Sequence, residues 1–286
     1  TGLWVGKFET GYDGATTTAG AQVNSVDTNK IVIKPNVYSW RNITVGNMFK
    51  NSYDYKRDLD SHMMKNTEWG SVAYLQHSKY GSQVSVRINN NSANITGYAA
   101  TVEPTLGYAG GTSTAGNRIE STALGVDATY SVNYLNSKSL VASTTNNYSG
   151  IYDMSGGAWE YVMGYTTGAT TVGGSSGITS LYSNFFNDNS YSKYWDKYFS
   201  TVNTNFNNRI LGDATGEMGS FGSEKDLSGG NKSSWYKDYA YFANYSSPWF
   251  THGGNYYFGA ASGTFAFNNY DGSALSFISF RIVLAP

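Results

Sequence analysis

The sequence predicts an α+β domain of two helices, short strands and long loop insertions. Two segments in the first third repeat apolar residues at helical spacing, and several short apolar runs close at Gly, Pro or Asn. Long stretches rich in Gly, Ser, Thr and Asn show neither period. At 286 residues the chain suits one large domain or two small ones, and it is long enough to bury a sizeable core. With no internal repeat or linker in view, a single domain over 1–286 is expected, with 235–286 as its candidate ligand-binding segment.

The elements follow in order. Leu3, Trp4, Val5 and Phe8 read as a first strand before GYDGATTTAG turns the chain, and KIVIK at 30–34 reads as a second, closed by Pro35-Asn36. A helix is expected over Asn47 to Leu59, with Met48, Phe49, Ser52 and Tyr53 on one side. A stronger one lies within 62–77, where Trp69, Val72, Ala73 and Gln76 fall at i, i+3, i+4 and i+7. Asn66 or Thr67 caps it, Glu68 suits its first turn and Gly81 stops it. Loops with a few short strands are expected from Ser82 to Gly150, then a compact stretch to Gly164 in which Gly156-Gly157 allows a tight turn before Trp159. Tyr191 to Phe199 reads as a short aromatic helix or turn, and Gly212 to Gly230 as another loop. Phe265 and Phe267 alternate with Thr264, Ala266 and Asn268, which predicts a strand with one buried face.

Composition narrows the function. The formal net charge is −1, so there is no basic stripe for a nucleic-acid backbone and no nucleic-acid partner is expected. Charged residues make up 14%, against about a quarter in ordinary domains, while Tyr numbers 25 and Gly 33. Such a surface is polar through hydroxyls and amides, which suits an extracellular or particle-surface protein. Cysteine is absent, excluding disulfides, thiolate nucleophiles and zinc-thiolate sites. No apolar run approaches the roughly 18 residues of a membrane span, so no membrane insertion is expected. The chain opens inside a strand-like run, which reads as a processed form or fragment of a longer protein.

Three separated segments carry a resemblance. KNTEWGSVAYL at 65–75 is similar to the TEAEWEYAA helix of the formylglycine-generating enzyme family. GIYDMSGGAWEYVMG at 150–164 resembles that family's GLYDMSGNVWEW signature. HGG at 252–254 and DGSALSFISFRIVL at 271–284 resemble its closing RGGS and GFR segments. The resemblance implies a C-type lectin-like fold with short antiparallel sheets and two flanking helices. The family's enzymes oxidise cysteine through two cysteines of their own with copper; the matching positions fall near Phe258 and Gly263, and neither is Cys. Soft copper needs thiolate ligands, so that chemistry is excluded and no enzymatic activity is expected.

The cysteine-free branch that the chain resembles includes variable proteins of diversity-generating retroelements, found on phage particles and bacterial surfaces. Its diversified positions take residues such as Tyr, Asn, Ser, Thr and Ala. The resemblance therefore implies ligand-binding roles for Tyr239, Tyr241, Asn244, Tyr245, Thr251, His252, Asn255, Tyr256, Tyr257, Ala260, Ser262, Thr264, Asn268, Asn269 and Tyr270. Trp249, Gly253, Gly254 and Phe280 would hold the frame. Family members bind calcium near the WEW segment, which implies calcium at Glu160, although Gly157 replaces an asparagine of the motif. The expected partner is a cell-surface protein or glycan, with further copies or particle proteins beside it. The alternative is a structural or decoration component of a phage particle or pilus.

The remaining chemistry is thin. His62, His77 and His252 do not cluster with carboxylates at ligand spacing, and no GxSxG elbow supports a nucleophilic triad. Asp58 with Asp60, and Glu224 with Asp226, read as solvated loop carboxylates. Asn-X-Ser/Thr matches, Asn94 among them, are expected by chance in so Asn-rich a chain.

Overall fold

The computed structural model describes residues 2–84, 86–100, 131–167, 189–199, 210–215, 238–244 and 247–286. Of the loops expected from Ser82 to Gly150 and from Gly212 to Gly230, residues 101–130 and 216–230 lie outside them. Strand β1 (Trp4–Val5) is followed by β2 (Gly11–Tyr12) and β3 (Ile31–Val32), an antiparallel pair. Helix α1 (Val45–Tyr55), strand β4 (His62–Met63) and helix α2 (Asn66–His77) complete the first third. Strands β5 (Ala99–Ala100) and β6 (Ser131–Val132) pair with each other. Then come β7 (Trp159–Thr167), β8 (Asp196–Phe199), β9 (Trp249–Gly253), β10 (Gly263–Tyr270), β11 (Ile278–Phe280) and β12 (Ile282–Leu284). The protein is thus α+β, with few helices and several short sheets.

The main sheet runs β10-β9-β7, with β11 and β8 one after the other along the far edge of β7, at Trp159–Tyr161 and Gly164–Thr167 respectively. Both β11 and β8 lie parallel to β7, while β9 is antiparallel to β7 and to β10. A second sheet places β12 between β1 and β4.

Both faces of the main sheet are covered. On β7 the side chains of Trp159, Tyr161, Met163 and Tyr165 join Val45, Met48 and Phe49 of α1 in one core. Val162 points the other way, into a core with Trp69, Val72 and Ala73 of α2. Trp249 and Phe250 divide likewise, as a period of two requires. Phe265 and Phe267 sit beneath α2 and Ala266 opposite, so the expected alternation is observed, but neither face is solvated.

Each helix departs from its expected ends for a local reason. Thr44 Oγ1 accepts from the Asn47 amide at 3.4 Å, so α1 starts two residues before Asn47. It stops at Tyr55, and the expected tail becomes a 3-10 turn, Arg57–Leu59, closed by left-handed Asp60 at φ 51°. For α2 the Glu68 carboxylate accepts from the Lys65 amide at 2.9 Å, while the Thr67 amide donates to Asp196 Oδ2 at 2.7 Å. The cap is therefore Lys65, and the Asn66 side chain turns inward, its Nδ2 at 2.6 Å from the Tyr198 hydroxyl. Among the described residues no helix is long and apolar enough to cross a membrane.

Two further expectations resolve differently. The first strand is confined to Trp4–Val5, and Phe8 belongs to a small core with Ala99, Ala142 and Tyr152. The aromatic stretch 191–199 splits into a 3-10 turn, Asn189–Tyr194, and strand β8.

Candidate functional site

The terminal segment returns on itself between β9 and β10. Gly253 and Gly254 take φ of 88° and 75°, a region that favours glycine. A Cβ on Gly254 would stand 2.3 Å from Ser262 Oγ, which itself donates to the Asn255 carbonyl at 2.8 Å. The return is anchored from outside by the Gly156 amide, which donates to the Gly253 carbonyl at 3.0 Å. Between the strands the chain makes a 3-10 turn, Tyr256–Ala261, and the β9–β10 register shifts between Gly263 and Phe267.

This geometry divides the fifteen residues expected to bind ligand. Asn255, Tyr256, Tyr257 and Tyr270 line one cleft of about 480 Å³. Facing them are residues from far upstream, among them Arg41, Asn94 and Gln22, with Phe277 closing one side. A cleft of this size is in the range that holds small ligands.

Most of the others serve the frame, which corrects the expectation for them. His252 is fully buried: its ring stacks on Trp69 at 5.0 Å, Nδ1 lies 3.2 Å from the Ala266 carbonyl and Nε2 lies 2.5 Å from Asn66 Oδ1. Burial pushes its pKa down to about 3, so the imidazole is neutral and carries one N–H. Thr251 and Thr264 are buried in β9 and β10, and the Thr264 carbonyl accepts from Trp69 Nε1 at 2.7 Å. Ser262 is buried at the return described above.

Asn268 accepts from the Asn269 amide at 2.9 Å, and Asn269 Nδ2 donates to the Phe242 carbonyl at 2.6 Å; both side chains are buried. Asn244 Oδ1 accepts from the Ser247 amide at 3.0 Å. Tyr239 packs edge-on against Trp159 and Phe258, and half-buried Tyr241 donates its amide to the Phe267 carbonyl. Tyr245 and the Ala260 side chain lie outside the described residues. The physical reason for the division is that β9 and β10 are covered on both sides, so alternation within them does not select an outward face.

The calcium expectation at Glu160 is also corrected. Glu160 is fully buried, and both its oxygens are taken by Arg281: Nε to Oε2 at 3.0 Å and Nη2 to Oε1 at 2.5 Å. A guanidinium in that position competes with a cation for the same lone pairs. Among the described residues no group of three or more His, Cys, Asp or Glu is placed to hold a metal.

Glu160 instead belongs to a buried cluster. Glu9 accepts from the Ala158 amide at 2.8 Å and from the Ser39 hydroxyl, and Asp153 accepts from Asn89 Nδ2 and the Gly97 amide, each at 2.9 Å. Burial, with repulsion between neighbouring carboxylates, holds Glu9 well above the usual range, and burial lifts Glu160 to about 7 against the pull of Arg281. His62 lies elsewhere, with Nε2 2.9 Å from Glu68 Oε1 and Nδ1 2.8 Å from the Asp60 carbonyl.

Arg41, Asn94, Gln22 and Phe277 are among the cleft residues that the sequence did not reveal as such. The available signal was slight: Arg41 is one of few cations in a charge-poor chain and follows Trp40, a core residue. No protein-family model matches the chain, and no curated protein matches it in sequence.

Proposed function

We propose that this protein is a non-catalytic recognition module with a C-type lectin-like fold of the formylglycine-generating enzyme type. It would bind a cell-surface protein or glycan through the cleft, displayed on a phage particle or bacterial surface. The observation that carries the reading is the convergence of Asn255, Tyr256, Tyr257 and Tyr270 on one cleft whose lining is aromatic rings, amides, hydroxyls and one guanidinium. Tyr gives large contact area at low entropic cost, and amides and hydroxyls give adaptable hydrogen bonds, as in paratopes.

The family reading has separate support. The three segments that carry the resemblance meet at one centre: Trp69 stacks on His252, Gly156 bonds Gly253, and Glu160 pairs with Arg281. Their packing at one centre is what a single family pattern spread over the three segments would require. Where relatives keep reactive cysteines, this chain has Phe258, itself a cleft residue, and Gly263.

The test is a binding screen on host cells and glycan arrays, comparing the protein with a Tyr256→Ala/Tyr257→Ala variant. Loss of binding with an unchanged melting temperature is expected. Equal binding by the two proteins sinks the reading.

A further inference from the structure

The one charge among the described residues of the cleft is not offered to a ligand. Arg41 is 2% exposed and its Nε is sealed. Its Nη1 donates to the Ser276 carbonyl, and its Nη2 to the Thr18 carbonyl and hydroxyl at 3.0 and 2.6 Å. The guanidinium is used to join the loop of Thr18 to that of Ser276. A charged ligand would therefore lose its hydration with no donor pair or carboxylate in reach to replace it.

What the cleft does offer is a fixed amide. Asn255 is 7% exposed, and its Oδ1 accepts from the Tyr257 amide at 3.1 Å. That bond sets the orientation of the side chain, since a backbone N–H cannot bond to the NH2 end. The Asn255 carbonyl accepts from Ser262 Oγ at 2.8 Å and from the Phe258 amide at 3.0 Å, so the residue is held at both ends. Among the described residues its NH2 group has no hydrogen-bond partner, and unlike Arg41 Nε and Asn94 Oδ1 it is not sealed off. A donor so placed is met by water or by a ligand oxygen, and the ligand gains only if it reproduces the bond of the water it displaces.

The groups around Asn255 are of one kind. Tyr256, Tyr257 and Gln22 are half-buried, and Ser92 and Ser276 are exposed. Among the described residues none of their hydroxyl or side-chain amide groups is bonded within the protein. Hydroxyls and amides both donate and accept, as sugar hydroxyls do, and the C–H face of a pyranose matches an aromatic ring. A proline-rich segment also seeks aromatic rings, but proline has no N–H, so it would leave the accepting half of these groups unmet.

We propose that the cleft binds an uncharged, hydroxyl-rich sugar unit, with one of its oxygens on the Asn255 amide and its ring against Tyr256 or Tyr257. This inference rests on the recognition reading above and narrows it to neutral glycans.

The test is titration calorimetry with maltotriose, mannotriose, triacetylchitotriose and lactose, then with sialyllactose, trigalacturonate and a decaproline peptide. Variants are Asn255→Asp, Gln22→Ala and Tyr256→Ala/Tyr257→Ala, each checked for folding by thermal melting. Asp keeps the acceptor for the Tyr257 amide and loses the NH2 donor. At least one neutral sugar should bind. Asn255→Asp and Gln22→Ala should each weaken it about threefold to tenfold, the worth of one hydrogen bond, and the tyrosine variant should abolish binding.

No binding by any neutral sugar at millimolar concentration overturns the inference, as does an acid that binds tighter than every neutral one. A folded Asn255→Asp variant that binds like the parent also overturns it; if that variant does not fold, Gln22→Ala decides by the same criterion. Decaproline binding tighter than every sugar overturns it in favour of a proline-rich peptide. If binding to cells still depends on Tyr256 and Tyr257 in any of these cases, the recognition reading stands without it. If the tyrosine variant binds cells as well as the parent, both fall.

Discussion

Arg281 and Glu160 form a bidentate ion pair sealed from solvent, although 121 residues separate them in the chain. Arg281 also donates to the Gly6 carbonyl at 2.6 Å and the Tyr152 carbonyl at 3.0 Å, so a single side chain ties β11–β12 to β7, to the first strand and to the Gly150–Gly157 turn. Removing one partner of such a pair leaves an uncompensated buried charge. Arg281→Met should cost about 3–5 kcal/mol in urea denaturation. Glu160→Leu combined with Arg281→Met should cost less than Arg281→Met alone, and a double variant as unstable as the single one would count against the pair as the cause.

Glu9 sets a pH dependence. Its folded pKa lies well above the unfolded value, so between the two the native state holds a proton that the unfolded chain has released. Its contribution is therefore fully present at acid pH and declines as pH rises. Glu9→Gln mimics the protonated form; the variant should match the parent at pH 5 and exceed it in stability at pH 8. Denaturation at the two pH values checks the sign.

His252 acts in the opposite direction. Its folded pKa of about 3 lies below the unfolded value near 6.5, so unfolding takes up a proton in that window. The contribution is full above about pH 6.5 and is lost as pH falls toward 3. Nitrogen-detected NMR should show His252 neutral at pH 5, while His62 is protonated there, because the Glu68 carboxylate outweighs the effect of burial and raises its pKa.

The cleft tyrosines should separate by role. Tyr256 and Tyr257 meet each other at the rim with ring centroids 6.4 Å apart, so Ala at either should shift stability by under about 1 kcal/mol while weakening binding. Tyr270 packs against Phe277 at 5.7 Å and Tyr161 at 6.4 Å, so Tyr270→Ala should lower both stability and affinity. Melting curves and binding isotherms on the same variants distinguish the two.

Gly157 stands in a cramped turn beside Glu9. It takes φ 69°, and a Cβ there would meet Glu9 Oε1 at 2.4 Å, an atom already held by the Ala158 amide. Placing asparagine there with Gly157→Asn should therefore destabilise the protein, by about 1–3 kcal/mol. An unchanged melting temperature would show that Glu9 has room to move.

What was legible in the sequence follows from distance along the chain. Helix α2 could be read because Trp69, Val72, Ala73 and Gln76 repeat over about two turns, and the Phe265–Phe267 strand because it alternates over the five residues from Thr264 to Asn268. Half of the cleft was visible as the Asn255–Tyr257 cluster. Its other half, Arg41 and Asn94, could not be read, since neither residue has a local pattern and only the fold brings them to Tyr256. The burial of His252 and Asn268 was hidden for a related reason: alternation marks two faces but does not say that helices cover both. Glu160 was noticed for its motif, but its partner Arg281 lies in another segment.

The sheet that places β12 between β1 and β4 imposes an order of events on the nascent chain. Its middle strand is made last of the three, and Trp4 has to wait for Leu284 to be synthesised before the pair can form. At about 5–20 residues per second that delay is on the order of tens of seconds. Throughout it the edges of β1 and β4 are unpaired, and the buried carboxylates lack Arg281. Closure therefore waits for synthesis of Ile282–Leu284, and until then β1 and β4 rest on their other contacts alone.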